Sequence, residues 1–272
     1  MTTRIDRRTA LAGAAAGAAA GFALAGTQAQ AQSAAKPIAP LFPLPQMMIP
    51  VVGEERGFPV RRIYCIGRNY EAHAREMGSD PTREPPFFFQ KPADAIQFVA
   101  IGSVGDHPYP SLTKNYHHEV ELVAALKSGG RNIPVDQALD HVYGYAVGLD
   151  MTRRDLQRGM GDQKKPWEIG KSFDHSAPIG PIHPVATVGH LQKGAISLAV
   201  NGKVRQNADL SQMIWSVAEQ IAQLSTAFEL AAGDIIYSGT PENVGPVVKD
   251  DVLLCKIDGL PDMSIRVVAA QA

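Results

Sequence analysis

Three carboxylates carry the first chemical signal in this chain. Glu119 and Glu121 stand two apart in His117-His118-Glu119-Val120-Glu121-Leu122-Val123, and Asp150 closes the largely apolar run Gly144-Tyr145-Ala146-Val147-Gly148-Leu149. The alternation in the first run predicts a strand, on which side chains two apart share a face. Two carboxylates side by side repel each other, and the repulsion is costly if the face is buried. A divalent cation between them removes that cost. With Asp150 as a third ligand and no cysteine nearby, the donor set suits a hard ion such as Mg²⁺, Mn²⁺ or Ca²⁺ rather than zinc. Spacing alone favours a plainer reading, in which Glu-x-Glu is the wet face of an antiparallel strand.

Other residues could work beside such an ion. His73 and Glu76 stand three apart in a short predicted helix, Glu71 to Gly78, so they are neighbours on one face. A histidine beside a carboxylate can act as a general base toward water, although a solvated i,i+3 pair has the same spacing. Phe87-Phe88-Phe89-Gln90-Lys91 is fenced by prolines and reads as a buried strand delivering Gln90 and Lys91 to a cavity edge. Lys171 follows Gly170 ahead of Pro178-Ile179-Gly180-Pro181, which suggests a rigid loop presenting a cation. Backbone N–H groups at Gly239 and Thr240, in a turn before Pro241, could bind a carboxylate.

The elements that position these groups alternate strands with short helices. Arg62 to Gly67, Gly144 to Asp150, Ile235 to Tyr237, Val252 to Ile257 and Met263 to Val268 read as strands. Asn201-Gly202 marks a tight hairpin within Ile196 to Val204. Pro134 to His141 reads as one short helix, and Arg154 stands four residues after Asp150, where another begins. The longest helix places Ile214, Val217, Ile221, Leu224 and Phe228 on one face, with Gly233 beyond its end.

The N-terminus reads as an address. Arg4, Arg7 and Arg8 precede an Ala/Gly/Leu-rich run and Ala29-Gln30-Ala31, the pattern of a cleaved signal peptide over residues 1–31. Paired arginines ahead of a weakly hydrophobic core point to twin-arginine export, hence a periplasmic protein with no membrane contact after cleavage. Residues 32–60 are rich in proline and read as a tether and an arm on the domain surface, followed by one catalytic domain over 61–272. The formal charge of −1 over 272 residues, without a basic cluster beyond the signal, argues against nucleic acid. Cys65 and Cys255 each sit in an apolar run and read as two buried free thiols.

Taken in order, these motifs resemble the fumarylacetoacetate hydrolase family over nearly all of residues 61–268. They are Gly67-Arg68-Asn69-Tyr70 with His73 and Glu76, Phe88-Phe89-Gln90-Lys91-Pro92, Glu119-Val120-Glu121, Gly148-Leu149-Asp150 with Arg154-Asp155-Leu156-Gln157, Lys171-Ser172-Phe173-Asp174, and Gly239-Thr240-Pro241. The wording at 83–89 and 151–157 is most similar to members that act on fumarylpyruvate and other acylpyruvates. The resemblance implies a β-rich α+β fold, a mixed β-roll with a few short helices and one longer helix, paired as a homodimer. It implies that Glu119, Glu121 and Asp150 bind Mg²⁺ or Mn²⁺ at the 2-oxo acid end of a small-molecule substrate. It further implies that His73 and Glu76, on a lid helix, activate water for C–C cleavage. Lys171 would meet the developing oxyanion. Arg154, Gln157 and the Gly239/Thr240 backbone would hold substrate carboxylates, with Arg68 and Tyr70 also at the substrate. The expected products are pyruvate and a carboxylic acid, as in aromatic catabolism. Oxaloacetate decarboxylation, isomerisation of 2-hydroxyhepta-2,4-diene-1,7-dioate type, and metal-dependent binding of 2-oxo acids without turnover are the alternatives. The export signal departs from the family, whose members are usually cytosolic.

Overall fold

The apolar runs of the sequence become the middle of a mixed sheet. In the computed structural model, which describes residues 39–78 and 84–269, its main path runs Phe88–Lys91, Arg62–Ile66, Asp234–Tyr237, Val120–Leu126, Val142–Leu149, Ala177–Ile179 and Ile96–Phe98. Every residue of Val120–Leu126 and Asp234–Tyr237 is buried, because both faces of the sheet are covered. A five-stranded sheet, Lys203–Asp209, Ala195–Val200, Val252–Ile257, Met263–Val268 and Val104–Pro108, packs against one face. Leu122, Leu149 and Ile236 meet Leu198, Leu253 and Ile265 there in the larger core. The other face carries a second core around Ile63, Val123, Ala146 and Tyr237. The fold is thus β-rich α+β, a curled sheet with short helices.

Several local expectations take a modified form. The hairpin turn is where the sequence puts it, with Asn201 and Gly202 both at positive φ. The longest helix spans Val217–Ala227, so Ile214 lies ahead of it. Ser216 accepts from the Glu219 N–H, and Glu219 reaches back to the Ser216 N–H, so a capping box fixes the start. Pro134 to His141 forms a helical turn, Val135–Ala138, followed by a 3₁₀ turn, Leu139–His141. The compact unit begins at Pro45. Its first residues do more than lie on the surface: Met48–Ile49 pairs with Phe58–Pro59, and Ile49, Val51, Phe58 and Val60 enter the second core. The expected export signal and the start of the tether lie outside the described residues. Among the described residues no helix is long and apolar enough to cross a membrane. Both cysteines are buried and free, as expected.

One buried polar contact anchors the strand that leads into Glu119. His107 is fully buried, with Nδ1 2.5 Å from Gln97 Oε1 and Nε2 2.5 Å from the Tyr116 hydroxyl. A Gln Oε1 can only accept, so the network assigns the proton to Nδ1 and leaves Nε2 to accept from the Tyr116 O–H. Tyr116 opens the strand Tyr116–His118, and Glu119 follows directly. Burial pushes the His107 pKa down from 6.5 to about 3. The unfolded chain therefore takes up this proton near pH 6.5, whereas the folded chain refuses it until about pH 3. His107 thus supports stability that is fully present above pH 6.5 and lost as pH falls below it. At 1.4 kcal/mol per pKa unit, it costs about 2 kcal/mol on going from neutral pH to pH 5. Urea unfolding at pH 7 and pH 5 should show His107→Gln with a pH-dependent loss smaller than the wild type's by about that amount. An unchanged difference would rule out this origin.

Candidate metal centre

The three carboxylates meet where two neighbouring strands end. Val120–Leu126 and Val142–Leu149 are antiparallel, with Val120 opposite Leu149 and Glu121 opposite Gly148. The Asp150 N–H donates to the Glu119 carbonyl at 2.9 Å, which continues the ladder by one pair. Glu119 and Asp150 are therefore cross-strand neighbours, and Glu121 lies one step inward on the same face. On that face Val123 and Tyr237 follow, so the cluster is the polar end of the second core. Gly148 is needed there, because a Cβ would stand 2.5 Å from Val123 Cγ2 and 2.7 Å from the Tyr237 ring. One ligand atom from each of Glu119, Glu121 and Asp150 lies within 4.8 Å of the others. Their exposures are 4%, 1% and 1%, so this is no wet strand face.

Cations compensate the cluster unevenly. Lys171 Nζ bridges Glu119 Oε2 at 2.8 Å and Asp150 Oδ2 at 2.7 Å. Arg154 pairs with the other oxygen of Glu119, and Lys91 Nζ lies 2.8 Å from Asp150 Oδ1. Among the described residues no cation pairs with Glu121; it accepts from the Gly239 N–H at 2.8 Å. The acidities follow. Burial pushes the Glu119 carboxyl up, but Lys171 and Arg154 together outweigh it and hold the group well below the usual carboxylate range. Burial raises Glu121, and the charges of Asp150 and Glu119 raise it further against the weaker pull of Lys171. Burial lowers Lys171, yet Asp150 and Glu119 win and keep it charged.

A cluster of this kind fits a hard divalent ion. The donors are all oxygens, and burial together with the charges of Asp150 and Glu119 makes Glu121 resist ionisation until positive charge is supplied. Glu119, Glu121 and Asp150 are the residues that would hold the ion.

The remaining expected residues fall into two groups. Six of them line the same cavity as the carboxylates, whose empty space measures about 310 Å³: Arg68, His73, Arg154, Gln157, Lys171 and Thr240. His73 is buried on the helix Glu71–Glu76, with Nδ1 3.0 Å from Glu76 Oε2. Glu76 also accepts from the Asn243 N–H at 3.2 Å. Arg154 donates to Gln157 Oε1 at 2.6 Å, one turn along the helix Arg154–Asp162. Lys171 ends the short helix Glu168–Lys171, packed so tightly that a Cβ on Gly170 would stand 2.6 Å from the Gln157 nitrogen. The Arg68 guanidinium lies 5.7 Å and 5.9 Å from the Phe87 and Trp167 rings. A wider space outside is bounded by Arg68, Met77, Gln157 and Trp167 as well, and by Arg158 and Lys165.

Two expected substrate contacts are used otherwise. The Gly239 N–H is committed to Glu121, and the Tyr70 side chain lies in the larger core rather than on the cavity wall. Thr240 Oγ1, although at the cavity, donates to the Val120 carbonyl at 2.8 Å.

Two positioning residues lie outside the expected site set. Gln206 Oε1 accepts from the Val120 N–H at 3.1 Å and lies 3.0 Å from His118 Nδ1, while its Nε2 donates to Thr240 Oγ1 and the Pro241 carbonyl, both at 2.8 Å. It thereby ties both neighbours of Glu119 to the turn after Tyr237. Asn69 holds the Ser238 carbonyl and both the N–H and the carbonyl of Trp215. Nothing local in the sequence marks Gln206; Asn69 stands inside a recognisable motif.

With this geometry in place, similarity to known proteins takes on meaning. The family model described as fumarylacetoacetate (FAA) hydrolase C-terminal matches residues 62–268. A fumarylpyruvate hydrolase of a Ralstonia species is 41% identical over 192 residues, 71% of this chain and 97% of that protein. The mitochondrial oxaloacetate tautomerase of Homo sapiens is 39% identical over 207 residues, 76% of this chain and 91% of that protein. Among solved structures, the fumarylpyruvate hydrolase of Pseudomonas aeruginosa in complex with Mn²⁺ and pyruvate is 57% identical, with a TM-score of 0.84. That match covers 85% of this chain and 100% of the other.

The uneven compensation generates a test. Mn²⁺ at a hundred times its dissociation constant should raise the melting temperature by about 5–10 °C. Glu121→Gln keeps an acceptor for the Gly239 N–H but removes the uncompensated acid. Its metal-free melting temperature should equal or exceed the wild type's, and the Mn²⁺ response should vanish. A retained response, read by differential scanning calorimetry, would exclude Glu121 as a ligand.

Proposed function

The chain belongs to the fumarylacetoacetate hydrolase family, and from that premise we propose that it hydrolyses a C–C bond in 2,4-dioxo acids of the fumarylpyruvate or acylpyruvate type. The products are pyruvate and a carboxylic acid. One observation carries the reading: His73, backed by Glu76, shares one cavity with the Lys171 ammonium and three carboxylates suited to a divalent ion.

The residues divide the work by position. When bound by Glu119, Glu121 and Asp150, Mg²⁺ or Mn²⁺ supplies Lewis acidity toward the oxygens of the 2-oxo acid. Glu76 accepts from His73 Nδ1–H, so Nε2 is left as the base. Nε2 takes a proton from water, and the resulting hydroxide adds to the distal carbonyl carbon. Collapse breaks the C–C bond to the pyruvyl methylene, which leaves with the electron pair and receives the proton back from the imidazolium. Lys171 offers positive charge where oxyanion character grows, and its side chain is almost fully buried, where charge acts strongly. Arg154 and Gln157, locked to each other, offer their remaining N–H groups to the substrate carboxylate. We also include in this proposal export to the periplasm by the twin-arginine route and assembly as a homodimer. Cell fractionation and light scattering check these.

Incubation with Mn²⁺ or Mg²⁺ and fumarylpyruvate, acetylpyruvate or oxaloacetate, with and without EDTA, decides among reactions. Pyruvate should form from an acylpyruvate in stoichiometry with the carboxylic acid and disappear with EDTA. Pyruvate from oxaloacetate alone would replace hydrolysis by decarboxylation. Conversion without pyruvate release would favour tautomerisation or isomerisation, and binding without conversion a carrier. His73→Ala should lower kcat about 10²- to 10⁴-fold while ligand still binds.

A further inference from the structure

The strand Phe88–Lys91 ends on a lysine that the chemistry above does not use. The Lys91 side chain is fully buried, and it does not line the cavity. Its Nζ lies 2.8 Å from Asp150 Oδ1, donates to the Met151 carbonyl at 3.2 Å, and donates to the Lys171 carbonyl. An ammonium has three protons, and three oxygens surround this one. None is left for a substrate. The Phe173 ring, 5.6 Å away, closes another side.

The identity of the three partners is what matters. One is a carboxylate of the metal cluster, the second is the carbonyl of the next residue, and the third is the carbonyl of the lysine that faces the substrate. The end of Val142–Leu149 and the end of the helix Glu168–Lys171 therefore converge on a single nitrogen. Burying an ammonium costs several kcal/mol unless it is well paired, and an apolar chain of similar length would fill the volume without that cost.

We propose that Lys91 is a positioning residue that sets the placement of Asp150 and of Lys171 with respect to each other. The alternative role is charge balance, since Lys91, Lys171 and Arg154 together match three carboxylates. The two roles differ in what arginine can do. A guanidinium in place of the Lys91 ammonium would keep the charge but would spread planar donors over a wider fork. It would therefore restore charge balance without restoring the three-way junction.

The test compares Lys91→Met and Lys91→Arg in the full-length protein, with Mn²⁺ as the probe. Electron paramagnetic resonance of bound Mn²⁺ reads the ligand geometry without turnover. Pyruvate release at saturating Mn²⁺ reads kcat and KM, and this arm alone rests on the hydrolase reading. Both variants should give an altered Mn²⁺ spectrum. Both should lose about 10- to 100-fold in kcat, the usual effect of removing a group that orients metal ligands, with KM little moved. A wild-type spectrum and kcat in Lys91→Arg would assign Lys91 to charge balance and overturn the proposal. The same result in Lys91→Met, or failure of both variants to fold by circular dichroism, would overturn it as well. If the wild type binds Mn²⁺ but releases no pyruvate from any acylpyruvate, the hydrolase reading falls and the spectra alone decide the role of Lys91.

Discussion

Three carboxylates held within one ion's reach, and almost closed to water, are the constraint that the rest of this structure answers. Each would be soluble and harmless on a surface. Together in a low-dielectric place they repel strongly, so the fold must deliver positive charge to them. It does so from three separate stretches of chain, through Lys91, Arg154 and Lys171. Such charges cannot be added one at a time, because each buried ion without its partner costs several kcal/mol. Sheet, helix Arg154–Asp162 and helix Glu168–Lys171 therefore stand or fall as one arrangement.

The pairing is not symmetrical. Glu119 and Asp150 each touch two cations, whereas Glu121 meets a backbone N–H. Full neutralisation by protein groups would leave an ion little to gain. The incomplete pairing at Glu121 keeps the centre hungry for a divalent charge, and the surrounding salt bridges keep it folded meanwhile.

Much of this is legible in the sequence, and the boundary of legibility is physical. Glu119, Glu121 and Asp150 stand out because carboxylates interrupt runs whose apolar residues demand burial. The wet-face reading of Glu-x-Glu fails because the strand is buried on both sides, which depends on what covers it. His73 with Glu76, and Arg154 with Gln157, are contacts along one helix, and sequence spacing reports such contacts directly. Gln206 escapes a reading of local pattern because it acts across 88 residues on His118. The strand pattern puts Lys91 at a cavity edge, yet it lies behind that edge, since such a pattern gives the face and not the depth. The Gly239 N–H, expected at a substrate, instead donates to Glu121. The helix starts at Val217, one turn later than the apolar periodicity suggests, because Ile214 continues the pattern while the Ser216–Glu219 box sets the true boundary.

The histidine that would serve as base is not carried by the sheet at all. It stands on the six-residue helix Glu71–Glu76, too short to be stable alone, and the link from Glu76 to the Asn243 backbone helps to seat it. The carboxylates and their lysines are carried by the sheet and the helix Glu168–Lys171, whereas His73 is carried by the short helix Glu71–Glu76. Such a division makes the molecule modular in an evolutionary sense. Changes at His73 and Glu76 could exchange water activation for proton transfer, or abolish both, without touching the ion pairs that hold the carboxylates together. A scaffold built this way can acquire a new reaction without first surviving the loss of its stability.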